Sequence, residues 1–229
     1  FQMNIVKRSG VLPNKLLTRV VVDSTSSLLQ EHIGALPLSI VPLHITLDHQ
    51  HYEDGITLTA QEFYERITVI ETNPSTSAPS PAAFKAAFTV DKTDVLCVTV
   101  SSQLSATYDA ARIAMELCQS TENPQRILLL DSATAGGAQA LIALAAARAA
   151  MEGQSLEEVF RVASATASRV YFIGVLDTVE FLRRGGRIPR IASWAVSSLN
   201  IKPVLAIWPD EGRFRLMARP RSNPRQLKL

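Results

Sequence analysis

Hydroxyl side chains occupy most of the places where this sequence could do chemistry. Three runs of β-forming residues end in polar groups: Asp23-Ser24-Thr25, Ser101-Ser102 and Asp131-Ser132. Ser105 stands where a helix begins, and Thr76-Ser77 lie in a loop rich in Ser, Thr and Pro. In an open α/β sheet, ligands bind outside the carboxyl ends of the strands. Unpaired N–H groups at a helix start favour an anion there. Neutral hydroxyls can satisfy a buried carboxylate without locking it in a salt bridge, which leaves an oxygen able to react. Each such residue is also an ordinary cap or turn former. Their convergence on one sheet edge is what points to a site.

Other signatures are missing. The ten glycines form no G-x-G-x-x-G and no G-x-x-x-x-G-K-[ST], and there is no G-x-S-x-G. All four histidines fall between His32 and His51. His49-Gln50-His51 has a spacing that could hold a metal, but it reads as a solvated polar turn, so no metal is expected. Without a general base or a metal cluster, the pattern favours binding over catalysis.

The elements that must position these residues alternate between strand and helix. Thr18–Asp23 reads as a buried strand, with Ser24 or Ser26 capping a helix through Ile33. Leu38–Leu47 reads as a second strand, with Pro42 marking an edge or a bend, and 48–55 as a polar turn. Thr59 and Glu62 form a capping box for a helix reaching about Ile70. The stretch 71–80 reads as loop, followed by a helix with Ser80 at its N-cap and Pro81 at its first position. Further strands are expected at 94–100 and 126–130, with helices at 105–118 and 137–151, the second ended by Gly153. After that the pattern changes to a helix from Ser155, a strand at 171–176, a helix at 178–184 and a hairpin around Asp210-Glu211-Gly212. The fold class is therefore α/β: a Rossmann-like, mainly parallel sheet with helices on both faces over 18–154. A C-terminal α+β domain with antiparallel strands is expected over 155–229.

Composition bounds the rest. The chain has 229 residues, 47% hydrophobic and 19% charged, with two cysteines, which excludes disorder, collagen and a disulfide scaffold. The longest uncharged run, Ser132 to Ala147, is too short to span a bilayer, and no apolar signal core opens the chain. A reduced, cytoplasmic setting is the default expectation. Phe1-Gln2-Met3 reads as a protease-site remnant before a native Met3. Residues 213–229 carry six basic side chains and no acid, although the net charge is +2. Phe214 is the sole aromatic there, so a nucleic-acid module is not expected.

Seven motifs follow one another in order: Asp23-Ser24-Thr25-Ser26, Val41-Pro42-Leu43, Thr76-Ser77-Ala78-Pro79-Ser80-Pro81, Ser102-Gln103-Leu104-Ser105-Ala106-Thr107-Tyr108, Asp131-Ser132, Phe181-Leu182-Arg183-Arg184-Gly185-Gly186-Arg187-Ile188, and Leu199-Asn200-Ile201-Lys202-Pro203-Val204-Leu205. The series resembles the DegV family of bacterial fatty-acid-binding proteins. The resemblance implies a two-domain α/β fold enclosing one long-chain fatty acid, with no further cofactor. It also implies a subunit without catalytic residues of its own, which presents the acyl carboxylate to a separate fatty acid kinase subunit for acyl phosphate formation. By the same resemblance, Thr76 and Ser105 hold the carboxylate, Ser77 is a nearby auxiliary, and Arg187 and Arg219 dock the kinase. Gly185 and Gly186 would project Arg187 outward, or Arg187 would brace the turn by pairing with Asp177 or Glu180. The chain departs from the family in having Ala106 where members usually have Gly. It also ends at Leu229, where they continue for several tens of residues, so the resemblance implies an incomplete second domain. A different class, a phosphotransferase for a small ketose related to the dihydroxyacetone kinase substrate domain, would need an anchoring His near the strand ends.

Overall fold

The computed structural model describes residues 17–70, 72–119, 125–177, 180–187 and 202–218. Strands β1 (Thr18–Asp23), β2 (Leu38–Val41), β6 (Asp94–Thr99) and β7 (Ile127–Asp131) form a parallel sheet in the order β2-β1-β6-β7. Every residue of β1 is buried, as expected of a strand covered on both faces. Val20, Val22, Leu96 and Val98 pack on α5 (Gly136–Met151) and α6 (Leu156–Ala167). Val21, Val95 and Cys97 pack on the other side with α3 (Pro81–Phe88) and α4 (Thr107–Gln119). The alternation within β1 therefore divides valines between two cores rather than between core and solvent.

Local chemistry sets the helix ends. The Ser80 hydroxyl accepts from the Ala83 amide at 3.1 Å with Pro81 in the first turn, and the Ser155 hydroxyl accepts from Glu158 at 3.4 Å. Alanines in α5 let α6 approach closely, and Leu156, Val159 and Ala163 of α6 join the core of the parallel sheet. The sequence boundary after residue 154 thus falls between two helices that share one core.

A second unit lies between β2 and β6. The stretch expected as one strand over 38–47 divides at Pro42 into β2 and β3 (His44–Leu47), which belong to different sheets. Proline cannot donate to a continuing ladder. The expected polar turn is shorter: Asp48 and His49 both take positive φ (50° and 61°), and 50–53 is strand β4. Two successive positive φ values make the tight turn that matches hairpin twist. The loop 71–80 contains β5 (Ser75–Ser77), an edge strand paired with β3. Sheet β4-β3-β5 packs Ile45 and Leu47 against Leu58 and against Phe63 of α2 (Ala60–Ile67). The Thr59–Glu62 capping box opens α2.

A third sheet, β10-β9-β8, is antiparallel and comprises β8 (Phe172–Val175), β9 (Val204–Ile207) and β10 (Phe214–Ala218). Helix α7 (Glu180–Arg184) follows β8. Among the described residues, no helix is long and apolar enough to cross a membrane.

Gly136 marks where the third sheet meets α5. Its φ is +57°, and a Cβ there would fall 3.0 Å from the Phe172 ring. Gly136→Ala should destabilise the fold by about 1–2 kcal/mol through the left-handed backbone alone, read as a lower urea midpoint at unchanged slope.

Candidate functional site

The sheet order places a topological switch point between β1 and β6, because the chain leaves β1 toward β2 and returns on its other side. The carboxyl ends of these two strands frame the crevice where open α/β sheets bind ligands. Asp23 ends β1 and is fully buried. Its carboxylate accepts from the Val100 amide (2.7 Å), the Gln139 side-chain amide (2.9 Å), the Thr25 amide (3.1 Å) and the Thr25 hydroxyl. Burial raises its pKa above the usual carboxylate value, and those four hydrogen bonds only partly oppose the rise. Burial, and then the nearby Asp23 charge, push the Cys97 thiol well up, which removes it as a nucleophile.

The loop after β6 is held from several directions. The Ser101 carbonyl accepts from the Leu104 and Ser105 amides at 3.0 and 3.2 Å. The buried Ser101 hydroxyl donates to the Gly212 carbonyl at 2.6 Å, which fastens the loop to the β9–β10 turn. Arg213 donates to the Gln103 side chain at 2.6 Å. Asp131, ending β7, accepts from the Ser102 and Ala133 amides. Several strand-end polar groups expected to face a ligand are therefore structural: Asp23, Ser101 and Asp131 join elements together.

Ser105 differs from these. It is half-buried, its hydroxyl accepts from the Thr107 amide at 3.3 Å, and it shares a 2.8 Å hydrogen bond with the Thr107 hydroxyl. Helix α4 starts at Thr107 rather than at Ser105, so this hydroxyl pair sits at the helix entrance. Thr107, which the Ser102–Tyr108 motif contains but the sequence reading did not single out, is fully buried. Thr76 and Ser77 lie exposed on β5, Thr76 in register with Ile45 and Ser77 with His44. Consecutive strand side chains alternate, so the two hydroxyls leave β5 on opposite faces.

The segment 180–187 touches both hydroxyl-bearing loops. Arg184 donates to the Asn73 side chain, just before β5. Arg187 donates through Nε to the Leu104 carbonyl at 3.2 Å. Arg187 therefore turns back onto the loop after β6. Asp177 is paired with Lys202 at 2.7 Å. Arg219 lies outside the described residues. The described histidines lie on α1 (Gln30–Ile33), β3, β4 and the turn between those two strands, and none of them ends a strand of the parallel sheet. No group of three or more potential metal ligands occurs among the described residues. An open depression of about 480 Å³ lies at the opposite, amino ends of β1, β6 and β7, and its Arg126 is engaged by Asp94 and Glu157.

The family model described as uncharacterised protein, DegV family, matches residues 18–228. The chain belongs to the DegV family. A DegV domain-containing protein of Deinococcus radiodurans is 35% identical over 191 residues, which is 82% of this chain and 66% of that protein. A DegV family structure from Thermus thermophilus, described by its fatty acid binding, is 33% identical with a TM-score of 0.76, covering 90% of this chain and 72% of that one. A DegV family structure from Ruminococcus gnavus with vaccenic acid superposes with a TM-score of 0.84 at 25% identity, over 92% and 75% of the two chains. This chain spans about two thirds to three quarters of the length of these relatives. The DegV architecture of a parallel sheet with separate antiparallel sheets is the one found here.

Asp23→Asn should destabilise this DegV chain by about 1–3 kcal/mol, because an amide nitrogen facing the Val100 N–H leaves a buried donor unpaired. Asp23 has a native pKa above its unfolded value, so its own contribution to stability rises as pH falls through the native value. The contribution levels off below the unfolded value near pH 4. Urea titrations of both proteins across acidic pH should show their stability gap widening on acidification.

Proposed function

We propose that this chain binds one long-chain fatty acid, with the Thr76 and Ser105 hydroxyls on its carboxylate and Ser77, next to Thr76 but on the opposite face of β5, as a nearby auxiliary. The observation that carries the ligand class is the 33% identity, over nine tenths of this chain, to the Thermus thermophilus protein described by fatty acid binding. The half-buried Ser105 hydroxyl, hydrogen-bonded to the fully buried Thr107 at the start of α4, supports the choice of headgroup site. Hydroxyl donors and a helix start stabilise a carboxylate without a paired cation.

The antiparallel sheet supplies apolar surface for the tail. Ile173, Val175 and Met217 are each about half-exposed on β8 and β10, flanking Val204 and Ala206, which are buried on β9. Burying about fifteen methylenes along such surface stabilises the complex by on the order of 10 kcal/mol. The carboxylate then remains free to attack a phosphoryl donor on a separate kinase subunit. The chain presents the acyl group and does no chemistry itself, and Arg187 and Arg219 are the residues proposed to dock that partner. The ordered motifs from Asp23 to Leu205 support this part of the reading.

Mass spectrometry of an organic extract of the purified protein should find one fatty acid per chain. Protein that is ligand-free and also ignores added palmitate or oleate would overturn the proposal. Replacing both Thr76 and Ser105 by Ala should weaken palmitate binding by a few kcal/mol, since each hydrogen bond to a charged group contributes about 1.5–3 kcal/mol. Unchanged affinity in the double variant removes these two residues from the site.

A further inference from the structure

We propose that Arg187 is a positioning residue for Ser105, acting through the Leu104–Ser105 peptide unit. That peptide is pinned at both ends. Its amide donates to the Ser101 carbonyl at 3.2 Å, a contact within the loop. Its carbonyl accepts from Arg187 Nε at 3.2 Å, a contact from across the fold. A peptide unit is planar, so holding both its carbonyl and its amide fixes the plane from which the Ser105 Cα–Cβ bond leaves. A guanidinium donor makes the second hold stronger than a neutral one would.

Arg187 is suited to this role by its own turn. Its Nη1 donates to the Gly185 carbonyl at 2.6 Å, which fixes the guanidinium relative to the Gly-Gly backbone. A Cβ at Gly185 would fall 3.1 Å from the Phe181 carbonyl and 3.4 Å from Arg187 Nη1, so the close return of the chain favours glycine there. At the other end of the same segment Arg184 holds Asn73, three residues before Thr76. Segment 180–187 therefore spans the two loops that carry the proposed carboxylate ligands. This inference rests on the reading that Ser105 takes the carboxylate, but the pinned peptide exists without any ligand.

Two measurements test it. Hydrogen–deuterium exchange of the ligand-free protein should show the 102–107 amides of Arg187→Ala exchanging about tenfold faster, with the body of α4 unchanged. Unchanged exchange at 102–107 overturns the proposal. Arg187→Lys keeps the charge and lacks the Nε–H, so it should resemble Ala; full protection in the Lys variant would show that charge suffices, and would also overturn it. In the second measurement, Arg187→Ala should weaken palmitate binding about fivefold and leave hexadecanol binding unchanged. In a Ser105→Ala background the same change should have no further effect on palmitate. Equal losses for acid and alcohol, or additive losses in the double variant, overturn the proposal. A wild-type chain that binds no palmitate defeats the ligand reading instead, and the exchange result then decides the positioning role alone.

Discussion

Burying the Asp23 carboxylate is unfavourable unless donors surround it, and the ends of three elements are arranged to provide them. Val100 brings the end of β6, Gln139 brings the first turns of α5, and Thr25 brings the turn that leaves β1. One side chain thereby ties both strands of the switch point to the helix that covers them. The crevice above it inherits its shape from this arrangement. The direction of the Asp23 shift shows that the donors do not fully offset burial, so the fold holds a partly unfavourable charge at its centre.

The candidate site is built one layer out from this anchor. The loop after β6 is bonded inward to Thr134, sideways to Asp131 and outward to Gly212 and Arg213 of the third sheet. Gly212 has φ +65°, and a Cβ there would lie 2.5 Å from the Ser101 hydroxyl oxygen. The close approach of two units at this point therefore depends on glycine. A loop held from so many sides has little freedom to change shape. That suits the proposed ligand, with a headgroup presented to a second protein and a tail held by apolar surface.

Much of this was legible in the residue pattern. The bounds of β1, the Thr59–Glu62 capping box, the Ser80-Pro81 start of α3 and the hairpin over 204–218 agree with local chemistry read from sequence. Each depends on contacts between residues a few positions apart, and such contacts have one dominant local solution. Strands β4 and β5 were not legible. Their residues, Gln-His-Tyr-Glu and Ser-Thr-Ser, carry weak strand patterns, and both become strands because β3 supplies the ladder partners. The split at Pro42 was foreseen as a bend, but not as the passage from one sheet to another.

The same division runs through the site. Residue types and order alone determined the family, the hydroxyl character of the proposed headgroup site and the absence of nucleotide and hydrolase signatures, because these are properties of local motifs. Tertiary structure alone decided which hydroxyls are free for a ligand. Ser101 and Ser105 are similar residues four positions apart, yet one is sealed against Gly212 and the other stands half-open at the entrance of α4. The return of Arg187 onto Leu104, from 83 positions away, was likewise decided by the tertiary structure. Hydrogen bonds between distant segments leave no periodic trace in a sequence, because their register is fixed only when the sheets and helices between them have packed.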